Sequence, residues 1–178
     1  MKKAFLLGIT LLATFSLTGC EILEGILSNG QDMLDEKKDY KYDDFAVLVA
    51  GTEFSYDYTK CSCERDVDGE KKTYEYTYDS EKKQWYSGED KVNIEVASYL
   101  PGLKTSAEFI GKSVDSIYKF SASKKGYFIT LTYKDKEQQL DGEYVFDTNG
   151  LFKTSNEKKT NLSTVKASTI KNTYTYSK

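Results

Sequence analysis

The chain contains no histidine. That absence removes the serine–histidine and cysteine–histidine hydrolases, histidine-ligated zinc and haem, and the usual general base near neutral pH. Proline is almost as scarce, with Pro101 alone, and Arg65 is the sole arginine beside 24 lysines, a skew that fits genome composition better than function. The apolar run from Ala4 to Phe15 falls short of the roughly 20 residues a membrane-spanning helix needs. Cationic excess is missing too. Beyond residue 19 there are 23 Lys+Arg against 28 Asp+Glu, so a nucleic-acid-binding surface is not expected. Aromatic residues are abundant, with 15 tyrosines and 9 phenylalanines, in a composition 39% hydrophobic and 30% charged. That is a folding sequence rather than a disordered one.

Met1-Lys2-Lys3, the apolar run and then Ser16-Leu17-Thr18-Gly19-Cys20 have the layout of a secretory signal peptide. Leu17-Thr18-Gly19-Cys20 resembles the lipobox of bacterial lipoproteins. The resemblance implies that residues 1–19 are removed, that Cys20 is lipidated through a diacylglycerol thioether, and that the protein is extracytoplasmic, anchored to a bacterial cell membrane. Two acyl chains suffice for stable anchoring where one is marginal. Residues 20–42 read as anchor and tether. Ile22, Leu23, Ile26 and Leu27 share one side of a helix that suits either the bilayer surface or the domain, and Ser28-Asn29-Gly30 breaks it.

Residues 43–178 carry the fold. Asp43 to Ala50 reads as a capped short helix or a buried strand closed by Gly51. Strict alternation follows: Phe54, Tyr56 and Tyr58; Tyr74, Tyr76 and Tyr78; Tyr118 and Phe120; Tyr127, Ile129, Leu131 and Tyr133; Leu140, Tyr144 and Phe146; Ile170, Tyr174 and Tyr176. A period of two in aromatic and β-branched residues marks strands buried on one side. Turn-forming clusters fall between the runs at Asp68-Gly69, residues 79–83, residues 123–126, Asp135-Lys136-Glu137 and residues 147–150. Between Gly88 and Val114, Val92, Val96, Tyr99 and Leu100 have helical spacing, which Pro101-Gly102 is expected to end. The expected fold is mainly β: a single antiparallel meander or curved, half-barrel-like sheet with one or two short helices.

Cys61-Ser62-Cys63 is the first constellation with chemistry. The two thiols read as a local disulfide stapling a bend, as free or intermolecularly paired thiols, or as a redox or metal pair. Residues two apart on an extended strand lie about 6.6 Å apart, near the upper limit for a disulfide, so closure needs a bend. Glu64 to Glu75 resembles a calcium-binding EF-hand loop in its acidic spacing and in Gly69 at the sixth place. Glu64 at the first place, Lys71 at the eighth and strand-like flanks make it read as a hairpin turn with solvated acids. Asp147 to Gly150 reads as a turn, and the acid pairs Asp43-Asp44 and Glu89-Asp90 as surface carboxylates. Asn161-Leu162-Ser163 matches a glycosylation acceptor with no expected use in a bacterial lipoprotein.

The tyrosines fill a core with a wet rim or line a groove. Trp85 and Tyr86, at a segment end, are the aromatics expected at the edge of such a groove. No catalytic residue, metal or cofactor is expected. The functional expectation is a membrane-tethered binding module for a small apolar, glycan or peptide ligand, the alternative being a non-catalytic structural or protein-interaction component of the envelope. At the level of fold alone the domain is similar to LolA-like envelope lipid carriers, and more broadly it resembles uncharacterised small bacterial lipoproteins.

Overall fold

The structure, a computed structural model, describes residues 36–178. The expected signal peptide, the lipidation of Cys20 and the amphipathic piece around Ile22 lie outside the described residues. The chain joins the sheet at Lys38, inside the stretch expected to be tether.

Among the described residues, ten strands form one open antiparallel sheet. They are β1 (Lys38–Tyr40), β2 (Lys60–Val67), β3 (Glu70–Asp79), β4 (Gln84–Ser87), β5 (Asp90–Val92), β6 (Tyr118–Ser123), β7 (Gly126–Lys134), β8 (Gln138–Phe146), β9 (Phe152–Asn161) and β10 (Lys166–Ser177). Three helices accompany them: α1 (Tyr42–Ala50), α2 (Val96–Phe109) and the single turn α3 (Val114–Ile117). The strand order β1-β6-β7-β8-β9-β10-β2-β3-β4-β5 is two meanders, β2–β5 and β6–β10, joined where β10 pairs with β2 from Ile170↔Val67 to Ser177↔Lys60.

The turns follow from their residues. Asp68 and Gly69 both have positive φ, 54° and 96°, as a two-residue hairpin turn with right-handed strand twist requires. Asp66 Oδ1 accepts the Gly69 N–H at 2.8 Å. At the β8–β9 turn, Asp147 Oδ1 accepts the N–H groups of Asn149 and Leu151 at 2.8 and 2.9 Å.

Alternation puts one aromatic row against the helices. Phe45 of α1 meets Phe120 and Tyr127 with ring centroids 5.3 and 6.1 Å apart, and Tyr99 of α2 meets Phe152 at 5.0 Å. The buried stripe of α2 is Val96, Leu100, Leu103 and Ala107, spaced for one helix face.

Three expectations need correction. Pro101 lies inside α2 rather than ending it. The ring removes one ladder bond, to the Ala97 carbonyl, and both residues are exposed, so water replaces the lost donor. Phe54, Tyr56 and Tyr58 alternate in burial but belong to no strand. They form an extended strap whose rings pack on Tyr127, Trp85 and Tyr176. The acids at the start of α1 do not cap it. Lys41 occupies the N-cap, and Asp115 Oδ1 accepts the Tyr42 N–H at 2.8 Å from across the fold.

Candidate functional site

Two regions of the helix-bearing face carry aromatic side chains, and they differ in what they leave open. The first spans β10, β2, β3 and β4. Register places Tyr174, Cys63 and Tyr74 in one row and Tyr176, Cys61 and Tyr76 in the next. Both cysteines are buried and free. β2 pairs with both neighbours without a register shift, so the bend a Cys61–Cys63 disulfide needs is not there. Burial pushes the Cys61 thiol up to about 12, against the opposing effect of a hydrogen bond with the Tyr176 hydroxyl. Burial likewise raises Cys63, which the Tyr76 and Tyr174 hydroxyls contact. Neither is the low-pKa, accessible thiolate that nucleophilic or redox chemistry uses.

Trp85 is 1% exposed and packs against Tyr78, Tyr176 and Tyr56 at 5.1, 5.8 and 6.2 Å. Its Nε1–H donates to the Tyr56 hydroxyl at 3.2 Å, and that hydroxyl donates to Glu95 at the N-cap of α2. The tryptophan is core, not a groove edge. Tyr86 cannot join it, because successive strand residues point to opposite faces. Tyr86 lines a separate polar recess of about 400 Å³ with Asp79, Lys82 and Glu89. The expected Trp85–Tyr86 edge is therefore two unrelated positions.

The second region is a groove of about 580 Å³ between the C-terminal half of α2 and the sheet. Its wall on α2 is Gly102, Thr105, Ser106 and Phe109, with Ile110 beyond. Its floor includes Tyr118, Leu131, Tyr133 and Leu140. At the start of α2, the Val96 N–H donates to the Gly150 carbonyl at 2.7 Å and Glu95 bridges to Leu151. At its end, Gly111 takes a φ of 70° and the Lys112 N–H donates to the Ala107 carbonyl at 3.1 Å, a glycine-assisted stop. Between these fixed ends Phe109 lies off the buried stripe and is 91% exposed at the groove's lip.

The polar residues of the groove are mostly engaged elsewhere. Thr105 and Ser106 hydroxyls donate to the Pro101 and Gly102 carbonyls four residues back, at 3.1 and 2.8 Å. The Tyr133 hydroxyl donates to Asp135 at 3.0 Å. The N–H groups of Gln138 and Glu137, both 2.7 Å away, hold the Asp135 carboxyl below the usual carboxylate range, with smaller help from Tyr133 and the Gln138 side chain.

The remaining sequence candidates are turns and surface. Asp68 accepts from the Thr169 N–H and Ser168 hydroxyl at 2.6 and 2.8 Å, and Glu64 pairs with Lys71 at 2.7 Å, so the acids of the EF-hand-like stretch are spent on the hairpin. Asn161 Oδ1 accepts the Ser163 and Thr164 N–H groups. Asp43, Asp44, Glu89 and Asp90 are exposed. Sequence reasoning missed the groove because it ended the helix at Pro101. Continuing the stripe of Val96 and Leu100 past Pro101 would have shown Phe109 off the buried face. No protein-family model, no curated protein and no solved structure matches the chain.

Proposed function

We propose that this chain is a lipid-anchored, non-enzymatic binding protein of a bacterial envelope surface, and that its folded part holds an apolar ligand in the groove beneath α2. The groove itself carries the reading: about 580 Å³ lined by Phe109, Ile110, Ile117, Leu131 and Leu140, in the size range of small-molecule sites. An exposed phenylalanine at the lip of such a space has more to gain from a ligand than from water. With the hydroxyls of Thr105, Ser106 and Tyr133 already bonded, a glycan would find few donors. The anchor comes from the lipobox resemblance at Cys20, and two acyl chains would keep the groove at the membrane surface.

Nile red, a neutral apolar dye, tests the site. The Cys20→Ala chain, released from the membrane, is expected to bind it with a blue-shifted emission. Phe109→Ala should weaken binding about tenfold, as removal of one large apolar contact does, while Tyr86→Ala leaves it unchanged. Absence of binding, or equal loss in both variants, would favour the structural or interaction-component reading.

A further inference from the structure

Within the groove, one polar group is not committed. The Tyr118 side chain is on the floor and only 8% exposed, yet its hydroxyl makes no hydrogen bond among the described residues. Among the described residues no fully buried side-chain oxygen or nitrogen lacks a partner, so this hydroxyl keeps accessible surface on a residue that lines the groove. It is a donor at a nearly dry position, which gains from an acceptor brought by a ligand.

Charge decides what kind of acceptor. The residues lining the groove include no lysine, arginine, aspartate or glutamate. Two acids bear on the floor: Asp135 bonds to Tyr133, and Glu157 acts electrostatically on Tyr118. Lys159 pairs in register with Leu140 but is exposed and outside the lining. An ionised ligand group on the groove floor would lose water without finding a counter-charge in the lining. A neutral oxygen loses less and meets a donor.

Resting on the reading of the groove as an apolar site, we propose that its ligand is a neutral acyl compound, an ester in class, whose carbonyl oxygen accepts the Tyr118 hydroxyl while its chain runs along Leu131, Leu140 and Phe109. A carboxylate of the same chain length would meet the two acids with no cation in the lining, Lys159 being exposed beside Leu140, and a plain hydrocarbon forgoes the hydrogen bond.

The test uses the full chain in its membrane. Two photoactivatable diazirine probes, a hexadecanoate methyl ester and the matching free hexadecanoate at pH 8, are irradiated with it, and labelled peptides are mapped by mass spectrometry. The ester should label residues 102–110 and 131–140 about tenfold more than the acid. Tyr118→Phe, which keeps the ring and its packing, should cut ester labelling about fivefold, the loss of one hydrogen bond. Equal or stronger labelling by the acid, or undiminished ester labelling in Tyr118→Phe, overturns the proposal while leaving an apolar groove standing. Labelling of the groove by neither probe overturns both readings.

Discussion

Cys61 and Cys63 lie side by side on one face of an unbent strand, under tyrosine rings from both neighbours. Their burial links ionisation to folding. The unfolded thiol ionises near 8.5, whereas Cys61 in the fold does so only at about 12. Above 8.5 the unfolded chain therefore holds fewer protons than the folded one, and stability falls as pH rises through this window. The chain is expected to lose stability between about pH 8.5 and 12, with a smaller loss in Cys61→Ala, as denaturant titrations at stepped pH will read. Both thiols should resist iodoacetamide at pH 8 until the chain unfolds. The neighbours Trp85 and Tyr86 separate just as sharply. Trp85→Ala empties a fully enclosed site and should cost about 3 to 5 kcal/mol, and Tyr86→Ala, on the other face, under about 1 kcal/mol. Chemical denaturation of the two variants tests both figures.

Among the elements, α2 is the one whose limits matter most to the site. Proline in a helix interior costs about 3 kcal/mol relative to alanine, yet α2 continues eight residues beyond Pro101 to Phe109 because Leu103 and Ala107 are buried against the fold. Packing outweighs the local preference. Pro101→Ala restores the missing donor on an exposed face and should stabilise the chain by about 1 to 3 kcal/mol, seen as a raised melting temperature; a lowered one would contradict this account of α2. The free outer edge of β3 is managed by charge. Only Thr77 to Asp79 pair with β4, and four of the other seven positions, Glu70, Lys71, Lys72 and Glu75, carry charge, the kind of residues that discourage edge-to-edge association.

For the whole molecule, the antiparallel, mainly β class was legible because Tyr, Phe and Ile recur every second residue and because the five predicted turns sit between strands. Pairings of strands adjacent in sequence follow from those hairpins. The joining of β10 to β2 does not, since nothing local links Tyr174 to Cys63 across more than a hundred residues. β9 was not legible either. Apart from Phe152 its side chains are polar or charged, so a strand between β8 and β10 has no apolar alternation to announce it. The groove needed tertiary information of the same kind: Phe109 and Leu131 are brought together only because α2 crosses the sheet after ignoring its proline. Trp85 and Tyr86 illustrate the converse, a sequence neighbourhood that the pleat divides.

Native mass spectrometry of the chain purified from its own cells reads whether the groove is occupied. A bound population heavier by the mass of one small apolar molecule, neutral after extraction, is expected, together with its loss in Phe109→Asp, a substitution at an exposed position. A single unliganded mass for both chains, unchanged after incubation with the hexadecanoate ester, would contradict it.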